Sequence, residues 1–485
     1  MARLSDSYDT LVFDLGNVLS PREDSIEDSK QQIDTKLLRR MMNAQIWYDN
    51  EAGTVPDEET YAELAKEFEV DESLIQIAVS EAMAALRPRA EMFDLIRTLK
   101  PGRKIYAMAN MSASTWNTVK LNGASSWKIF DAIFLSYIAG SRKPELPFYR
   151  LFLHDTGSIP SRTIFVDDNR EHLVTAQSLG MRTIFFDNFA NVERILHNLC
   201  GDPVERASRF LEQNAKQHLS HTTDGQVIHE NFSQLMILEA TDDPSLVDYT
   251  IYEAEFNFFK GSGELTTTYY PDDLDTTSMA WTVIPNVADD TTKTKVMDRM
   301  LQFCDGDGIP LTCFDWNRPR RDHAICVNVL TLFHAYGRGK ELDKAVEWIY
   351  SVLLTGAYMD GARYYIGPEP FLYFMLRLPE RSPELAKRMG ALFKQRCQER
   401  IGSPGDALAL AMRLHLCNRV DLNNKIDFQR LSNIQQLDGG WEPGAFYRYG
   451  SIDLQFGNRG LSTAIAQRAI KEYRLKYGSL ASDVV

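Results

Sequence analysis

Hydrophobic and polar positions divide the chain into two parts with different periodicities. In about the first 200 residues, short runs rich in Ile, Val, Phe or Ala alternate with longer amphipathic segments, which predicts βαβ units and an α/β fold with a Rossmann-like parallel sheet. The predicted strands are Thr10–Asp14, Lys104–Ala109, Ala132–Ser136, Thr163–Val166 and Thr183–Phe186.

A long helical stretch, roughly Asp24–Leu86, follows the first predicted strand. It predicts a helical cap over about residues 20–90. Because open α/β sheets bind ligands at the carboxyl ends of their strands, we expect this cap to lie over a binding site.

Beyond Cys200 the strand pattern stops and helical spacing continues. Pro203 opens a predicted helix, and the polar stretch 221–225 resembles a linker. Segments at helical spacing follow, many ending at Gly or Pro as helices do: 326–339, 341–354, 383–397 and 406–417. The predicted domains are therefore an α/β domain over 1–202, a linker with a helix over 203–225, and an all-α domain over 226–485.

Composition and charge narrow the classes of function. The 485 residues carry 53 Lys plus Arg against 67 Asp plus Glu, a net charge of −14, which argues against nucleic acid or an anionic membrane surface as partner. The six cysteines show no C-x-x-C spacing, which is typical of a reducing compartment. No apolar run reaches 18 residues, so we expect no membrane span and a cytoplasmic protein. Nothing in the pattern indicates an oligomeric state.

Charged side chains cluster where predicted strands of the first part end. Asp14 closes the first strand, where it is a nucleophile, a metal ligand or a simple cap. Asp167 and Asp168 close the fourth strand and suit a hard cation. Lys143, in the string GSRKPE, can offset the charge of a phosphate.

Four strings in this order carry a resemblance to a known family: FDLGNVL, AMANMS, RKPELPFY and FVDDNREHL. They resemble the motifs of the haloacid dehalogenase-like hydrolases. The resemblance implies that Asp14 attacks phosphorus and that Lys143 neutralises the phosphoryl group. It also implies Mg²⁺ held by Asp14, the Gly16 carbonyl and Asp168, with Asp167 beside them.

Two positions depart from that family. Gly16 stands where the family has a second Asp, its general acid and base, and Ala109 stands where it has Ser or Thr. Asn110, a substrate-binding candidate, follows as the family has it. Losing a proton donor and a hydroxyl slows phosphoryl transfer, so a working phosphatase and a structural domain both remain open.

The string Asp273-Leu-Asp275-Thr276-Thr277 is the most specific in the second part. The string is either an acidic helix cap or the site of a catalytic acid. A carboxylic acid kept protonated by burial and a like-charged neighbour can protonate an alkene, and Asp273 is such a neighbour for Asp275. The hydroxyl of Thr276 or Thr277 can hold the acid in place.

This string resembles the D-x-D-T-T motif of the type II terpene cyclases, whose middle Asp donates the proton. The resemblance therefore implies that Asp275 is the acid. The string QLDGGW at 436–441 is similar to the Q-W element of terpene cyclase α-barrel domains. The second part is then expected to be an α/α barrel.

Aromatic and arginine residues supply the remaining candidates. Aromatic faces stabilise carbocations without removing a proton, and we select Trp316 and Tyr365 among many rings that are mostly core. Arg318, Arg320 and Arg321 form a tight cluster that suits a diphosphate or is a solvated helix start.

The order of the two parts resembles the drimane-type sesquiterpene synthases. This resemblance implies farnesyl diphosphate as substrate, a bicyclic drimane diphosphate as the cyclisation product, and a drimenol- or albicanol-type alcohol after dephosphorylation. Two alternatives remain open: a phosphatase whose helical part binds a partner, and a cyclase whose first part is a scaffold.

Overall fold

The computed structural model describes residues 8–21, 33–261, 263, 269–449 and 454–478. The chain forms two compact units, one ending at Gly201 and the other extending over Asp202–Gly478.

The N-terminal unit is built on a parallel sheet of five strands in the order β3-β2-β1-β4-β5. The strands are β1 (Thr10–Asp14), β2 (Lys104–Ala109), β3 (Ala132–Leu135), β4 (Thr163–Asp167) and β5 (Arg182–Phe185). These bounds match the predicted strands to within one residue at each end. Because β1 is the central strand, Asp14 lies in the middle of the carboxyl edge of the sheet.

Among the described residues, ten α-helices accompany this sheet. They are α1 (Thr35–Met41), α2 (Gln45–Glu51), α3 (Asp57–Phe68), α4 (Glu72–Ala84), α5 (Ala90–Leu99), α6 (Ala113–Asn122), α7 (Ser136–Ala139), α8 (Leu146–Thr156), α9 (Arg170–Ser178) and α10 (Phe189–Cys200). The first four lie where the sequence predicts a helical insertion, although its beginning, 22–32, falls outside the described residues.

Alternate side chains of β1 enter two separate hydrophobic clusters. Leu11 and Phe13 pack with residues of α1–α5 and α10, whereas Val12 packs with Phe148 and Phe152 of α8. Burial of both faces explains why the strands read as continuous apolar runs.

The C-terminal unit is mainly helical. Its helices are α11 (Pro203–Gln213), α12 (Phe232–Thr241), α13 (Leu274–Val283), α14 (Asp290–Gln302), α15 (His323–Ala335), α16 (Asp343–Thr355), α17 (Glu369–Arg381), α18 (Pro383–Glu399), α19 (Ala407–Arg419), α20 (Lys425–Asn433) and α21 (Arg459–Tyr477).

Six of these helices form a closed ring. In the order α12, α13, α15, α17, α19 and α21, each helix packs on the next, and α21 packs back on α12. All ten residues Ala324–Phe333 of α15 are buried, as expected for a helix surrounded by others. Helices α16, α18 and α20 pack on members of the ring, which gives the two-layered arrangement of an α/α barrel.

The prediction that strands stop after Cys200 is wrong. The C-terminal unit contains an antiparallel sheet in the order β7-β6-β9-β8. Its strands are β6 (Ser220–Thr222), β7 (Val227–Ile228), β8 (Tyr447–Arg448) and β9 (Gln455–Asn458). Strands of two to four residues are too short to produce a periodic signal in the sequence.

The stretch 221–225 is also not a linker between domains. It belongs to the β6–β7 hairpin, in which the Thr222 amide donates to the Gln226 carbonyl and Gly225 adopts a φ of +89°. Helix α11 before it packs on α21. The polar residues thus mark a turn inside the C-terminal unit.

Among the described residues, no helix is long and apolar enough to cross a membrane. All six cysteines are free.

Candidate active sites

The N-terminal site is organised around a buried lysine. Lys143 Nζ donates a hydrogen bond to Asp14 Oδ1 and another, of 2.7 Å, to Asp167 Oδ2. Asp14 comes from the end of β1 and Asp167 from the end of β4, the neighbouring strand. The parallel pairing of β1 with β4 therefore brings the two aspartates together, and Lys143, from the segment between α7 and α8, bonds to both.

Both oxygens of Asp167 are occupied by protein donors. Besides Lys143, they contact the His172 ring at 3.0 Å and the Asn169 amide at 2.8 Å. Burial raises the pKa of Asp167, but the charge of Lys143 and the bond from His172 outweigh burial and leave the pKa below its usual value. Asp167 thus fixes the lysine and stays ionised.

The carboxylates fit a hard divalent cation. Ligand oxygens of Asp14, Asp167 and Asp168 lie within 4.8 Å of one another. Oxygen-only donors of this kind suit Mg²⁺. Because Asp167 is already held by three donors, Asp14 and Asp168 are the freer ligands, and Asp168 accepts a 2.7 Å bond from Asn17 Nδ2.

Burial dominates the ionisation of Asp14. It raises the pKa of this carboxyl to about 8, and the adjacent Lys143 opposes the shift. Burial lowers the pKa of Lys143, but Asp14 and Asp167 more than compensate and hold it above its usual value. The lysine is therefore a permanent positive charge beside the nucleophile candidate.

The two departures from the hydrolase motifs lie in the same small cavity, of about 110 Å³. Gly16 leaves the usual acid position without a side chain, and its carbonyl accepts a 2.6 Å bond from Val18. Ala109 is buried at the end of β2. Asn110 exchanges two hydrogen bonds of 2.8 Å with the backbone of Lys143, so it positions the lysine segment.

Helix α2 contributes a residue to this cavity that the sequence analysis missed. Glu51 accepts bonds from Arg142 Nε at 2.9 Å and from Trp47 Nε1 at 3.1 Å, and burial raises its pKa. Its contact with Arg142, next to Lys143, ties the helical insertion to the lysine segment. No sequence motif could have indicated it.

The C-terminal site begins at the first turn of α13. Asp273 is the N-cap and accepts a 2.6 Å bond from the Thr276 amide, which places Asp275 inside the first turn. Asp273 Oδ2 has no hydrogen-bond partner among the described residues. Burial, followed by the charge of Asp275, raises the pKa of Asp273 well above its usual value.

Asp275 is bound by two neutral donors. Tyr365 Oη lies 2.5 Å from Oδ2, and Asn328 Nδ2 lies 2.8 Å from Oδ1. Burial raises the pKa of Asp275 to about 7, while the bonds from Tyr365 and Asn328 oppose the shift. The carboxyl is thus protonated in part near neutral pH and remains a usable acid.

Asp275 and Asp273 lie in the wall of a cavity of about 510 Å³. This volume lies within the usual range for small-molecule sites. Its aromatic lining consists of Phe258, Phe259, Tyr270, Tyr364, Tyr365, Tyr447, Tyr449 and Phe456. The site is therefore an acid facing a pocket of aromatic rings.

Three arginines line the same cavity: Arg318, Arg320 and Arg448. Arg320 Nη1 donates to the Tyr364 hydroxyl at 2.9 Å. Arg321 does not reach the cavity, because its guanidinium is paired with Asp305 and Asp307. Of the three arginines in the predicted cluster, Arg318 and Arg320 line the cavity and Arg321 does not.

Trp316 was selected from the sequence as a ring that stabilises cations in the cavity. The residue is 55% exposed, its ring stacks on Phe303 at 5.5 Å between centroids, and it is not among the residues that line the cavity. Composition alone cannot tell which rings face a cavity.

The two threonines support the helix start and do not line the cavity. Thr276 binds Asp273 through its backbone amide. The Thr277 hydroxyl donates to the Asp273 carbonyl at 2.6 Å and accepts from the Phe256 amide at 2.9 Å. Their predicted role in binding substrate therefore stays a prediction.

Comparison with known proteins finds relatives of the whole chain and of its N-terminal part. The chain is 39% identical over 466 residues to the drimenol cyclase drtB of Aspergillus calidoustus, a match that covers 95% of this chain and 87% of that protein. The chain belongs to the drimane-type sesquiterpene cyclases that carry a haloacid dehalogenase-like domain. Within this cyclase, residues 204–336 match the family model of the sesquiterpene cyclase astC-like C-terminal domain.

The N-terminal part of the cyclase has relatives of its own. It is 31% identical over 176 residues to the sesquiterpene phosphatase astK of Aspergillus oryzae, covering 36% of this chain and 88% of that protein. A haloacid dehalogenase family enzyme of Bacteroides thetaiotaomicron, solved with magnesium and inorganic phosphate, is 22% identical and covers 38% of this chain and 98% of its own, with a TM-score of 0.30.

Proposed function

We propose that the C-terminal unit cyclises farnesyl diphosphate to a bicyclic drimane-type diphosphate, drimenyl or albicanyl, and that the N-terminal unit hydrolyses this product toward the alcohol. The observation that carries the proposal is Asp275, a buried carboxyl in the wall of an aromatic cavity. The family relationship to a drimenol cyclase supports it.

The reaction begins with proton transfer from Asp275 to the terminal C=C of the substrate. The proton adds to the CH carbon, and the tertiary cation that forms is attacked in turn by the two inner double bonds. Two C–C bonds close, and loss of one proton from the final cation gives a bicyclic alkene. Because one proton is added and one is lost, the step is an isomerisation and leaves the C–O bond to the diphosphate intact.

The partners of Asp275 suit this acid. Burial keeps the proton on the carboxyl, and the donors Tyr365 and Asn328 stabilise the carboxylate once the proton has left. The rings of the cavity present negative faces to the cations. No strong base is needed until the last step.

We place the diphosphate at Arg318, Arg320 and Arg448, the three guanidinium groups of the cavity wall. A guanidinium group can donate two parallel hydrogen bonds to phosphate oxygens, which fixes the diphosphate end of the substrate. The Asp275 carboxyl then faces the hydrocarbon tail.

For hydrolysis, Asp14 is positioned to attack phosphorus and Lys143 to balance the phosphoryl charge. Asp14, Asp168 and the Gly16 carbonyl would hold Mg²⁺, which supplies charge neutralisation when bound. With Gly16 in place of an acid, the leaving group must depart with little protonation. We therefore expect slow hydrolysis that favours a phosphate leaving group over an alkoxide.

Incubation of the purified chain with farnesyl diphosphate and Mg²⁺, with extraction before and after added phosphatase, tests the proposal. A cyclic alcohol before phosphatase treatment supports both units. A cyclic product seen only after treatment means that the N-terminal unit is a scaffold. No cyclic product overturns the cyclase. We expect the enzyme in the cytoplasm.

A further inference from the structure

A chain of donors leads away from the acid into the helix ring. Asn328 Nδ2 donates to Asp275 Oδ1 at 2.8 Å, and Arg377 Nη1 donates to Asn328 Oδ1 at 3.0 Å. A guanidinium has no acceptor atom, so Arg377 must face the oxygen of the Asn328 amide. The NH₂ group is then the end that faces Asp275.

Arg377 is itself held in one orientation. Its Nε donates to Glu239 Oε1 at 2.7 Å and its Nη2 to Thr282 Oγ1 at 2.5 Å. The residues of this hydrogen-bond series come from α12, α13, α15 and α17, four helices of the ring. Asn328 is fully buried, and neither Asn328 nor Arg377 is among the residues that line the cavity. Neither side chain is therefore placed to contact the substrate.

We propose that Asn328 and Arg377 are positioning residues that assign the transferable proton of Asp275 to Oδ2. The inference rests on the proposed role of Asp275 as the proton donor. In a neutral carboxyl, the carbonyl oxygen is a better acceptor than the hydroxyl oxygen. Oδ1 accepts from the NH₂ group of Asn328, and the bond from Arg377 to the amide oxygen prevents this amide from rotating. The proton is therefore carried by Oδ2, the oxygen that Tyr365 contacts.

The same arrangement serves the acid after proton transfer. The carboxylate keeps the bonds from Asn328 and Tyr365, and the positive charge of Arg377 lies one amide away. Without Arg377, the Asn328 amide can rotate and present its oxygen to Asp275. That rotation would leave two acceptors face to face and remove a donor from the conjugate base.

The ionisable groups around Asp275 shift its pKa in opposing directions. Asp322, which precedes α15, raises the pKa of Asp275, and Arg377 on α17 lowers it. Asp275 in turn raises the pKa of Asp273, the cap of α13. On the sheet side, Tyr447 has a pKa well above its usual value because of burial, so its hydroxyl is neutral. Arg377, which is itself paired with Glu239, is thus a positive charge that opposes the effect of Asp322 on Asp275.

The test compares kcat, KM and the pH profile of farnesyl diphosphate consumption in Asn328→Leu, Arg377→Gln and Arg377→Lys. Loss of a hydrogen bond to a charged group predicts a kcat that is lower by about 10- to 100-fold in the first two variants. KM stays within about two-fold, since neither variant alters an arginine of the cavity wall. The alkaline limb moves to higher pH, and Arg377→Lys restores part of kcat.

Arg413→Gln is the matched control. Arg413 is a second buried arginine of the same ring, paired with Glu369 and Asp427 and not with Asp275. We expect it to lower thermal stability with no change in the alkaline limb. A wild-type kcat and pH limb in both Arg377→Gln and Asn328→Leu would overturn the inference, and so would an equal shift in Arg413→Gln.

Failure of this inference is distinguishable from failure of the proposed function. If Asp275→Asn is inactive while Arg377→Gln and Asn328→Leu behave as wild type, only the positioning role is refuted. If Asp275→Asn still cyclises, the proposed acid itself is wrong. If Arg377→Gln does not fold, Asn328→Leu alone decides, because it replaces a side chain of similar size.

Discussion

Asp14 and Asp275 are both buried aspartates, and burial raises the pKa of each, yet their partners differ in charge. Asp14 contacts the ammonium of Lys143 and lies near two further carboxylates that fit a cation. Asp275 contacts a phenol and an amide, and the guanidinium of Arg377 is linked to it through that amide.

The difference shows how one side-chain type serves two chemistries. Lys143 opposes the rise in the pKa of Asp14, which still reaches about 8, and a divalent cation held by the adjacent carboxylates would further favour the ionised form that attacks phosphorus. The neutral donors of Asp275 leave a carboxyl that holds its proton in part and can release it. The surroundings of each aspartate therefore separate a nucleophile from an acid more clearly than its burial does.

The largest effect is expected at the acid. Asp275→Asn removes the acidic proton but keeps the size of the side chain, so cyclisation should fall by at least ~10³-fold. The measurement is cyclic product formed from farnesyl diphosphate, with circular dichroism as the control for folding. Drimane formation at an undiminished rate would make the assignment untenable.

The nucleophile is expected to affect a different step. Asp14→Asn should lower phosphate release by ~10²-fold or more while farnesyl diphosphate is still consumed, because the cyclase site is unaltered. The cyclic diphosphate should accumulate, as followed by product extraction with and without added phosphatase. Identical phosphate release by wild type and variant would show that the N-terminal unit is a scaffold.

The pH dependence of cyclisation follows from the raised pKa of Asp275, which is about 7. The protonated form is the active one, so the rate should be level below this pKa and fall by about tenfold per pH unit above it. Initial rates of substrate consumption at fixed ionic strength measure this limb. A rate that rises between pH 7 and 9 would contradict a protonated acid.

A smaller effect separates two neighbouring arginines. Arg320→Ala should raise KM for farnesyl diphosphate by about tenfold, because a guanidinium of the cavity wall is lost. Arg321→Ala is the control, since its partners are Asp305 and Asp307 outside the cavity lining. Equal KM values in the two variants would remove Arg320 from the diphosphate site.

The sequence predicted the large elements of the fold well and the short ones poorly. The strands of the N-terminal sheet carry continuous apolar runs, and their predicted bounds agree with the structure to within one residue. The strands β6–β9 were missed because two to four residues carry no period. This matters for function, because β8 and β9 bring Tyr447, Arg448 and Phe456 to the cavity.

The candidate sites divide in the same way. Asp273 and Asp275 belong to one contiguous string and could be selected from it. Asn328, Arg377 and Arg448 come from distant helices and a short strand, so only the folded ring brings them near Asp275.

The central claim is that Asp275 starts the reaction by giving up a proton that exchanges with solvent. Its most direct test is a single incubation with farnesyl diphosphate in D₂O, followed by mass and NMR analysis of the cyclic product. The account predicts one deuterium, located on the ring methylene next to the carbon that bears the two methyl groups. A cyclic product without deuterium would mean that the reaction starts by loss of the diphosphate, and it would contradict the account.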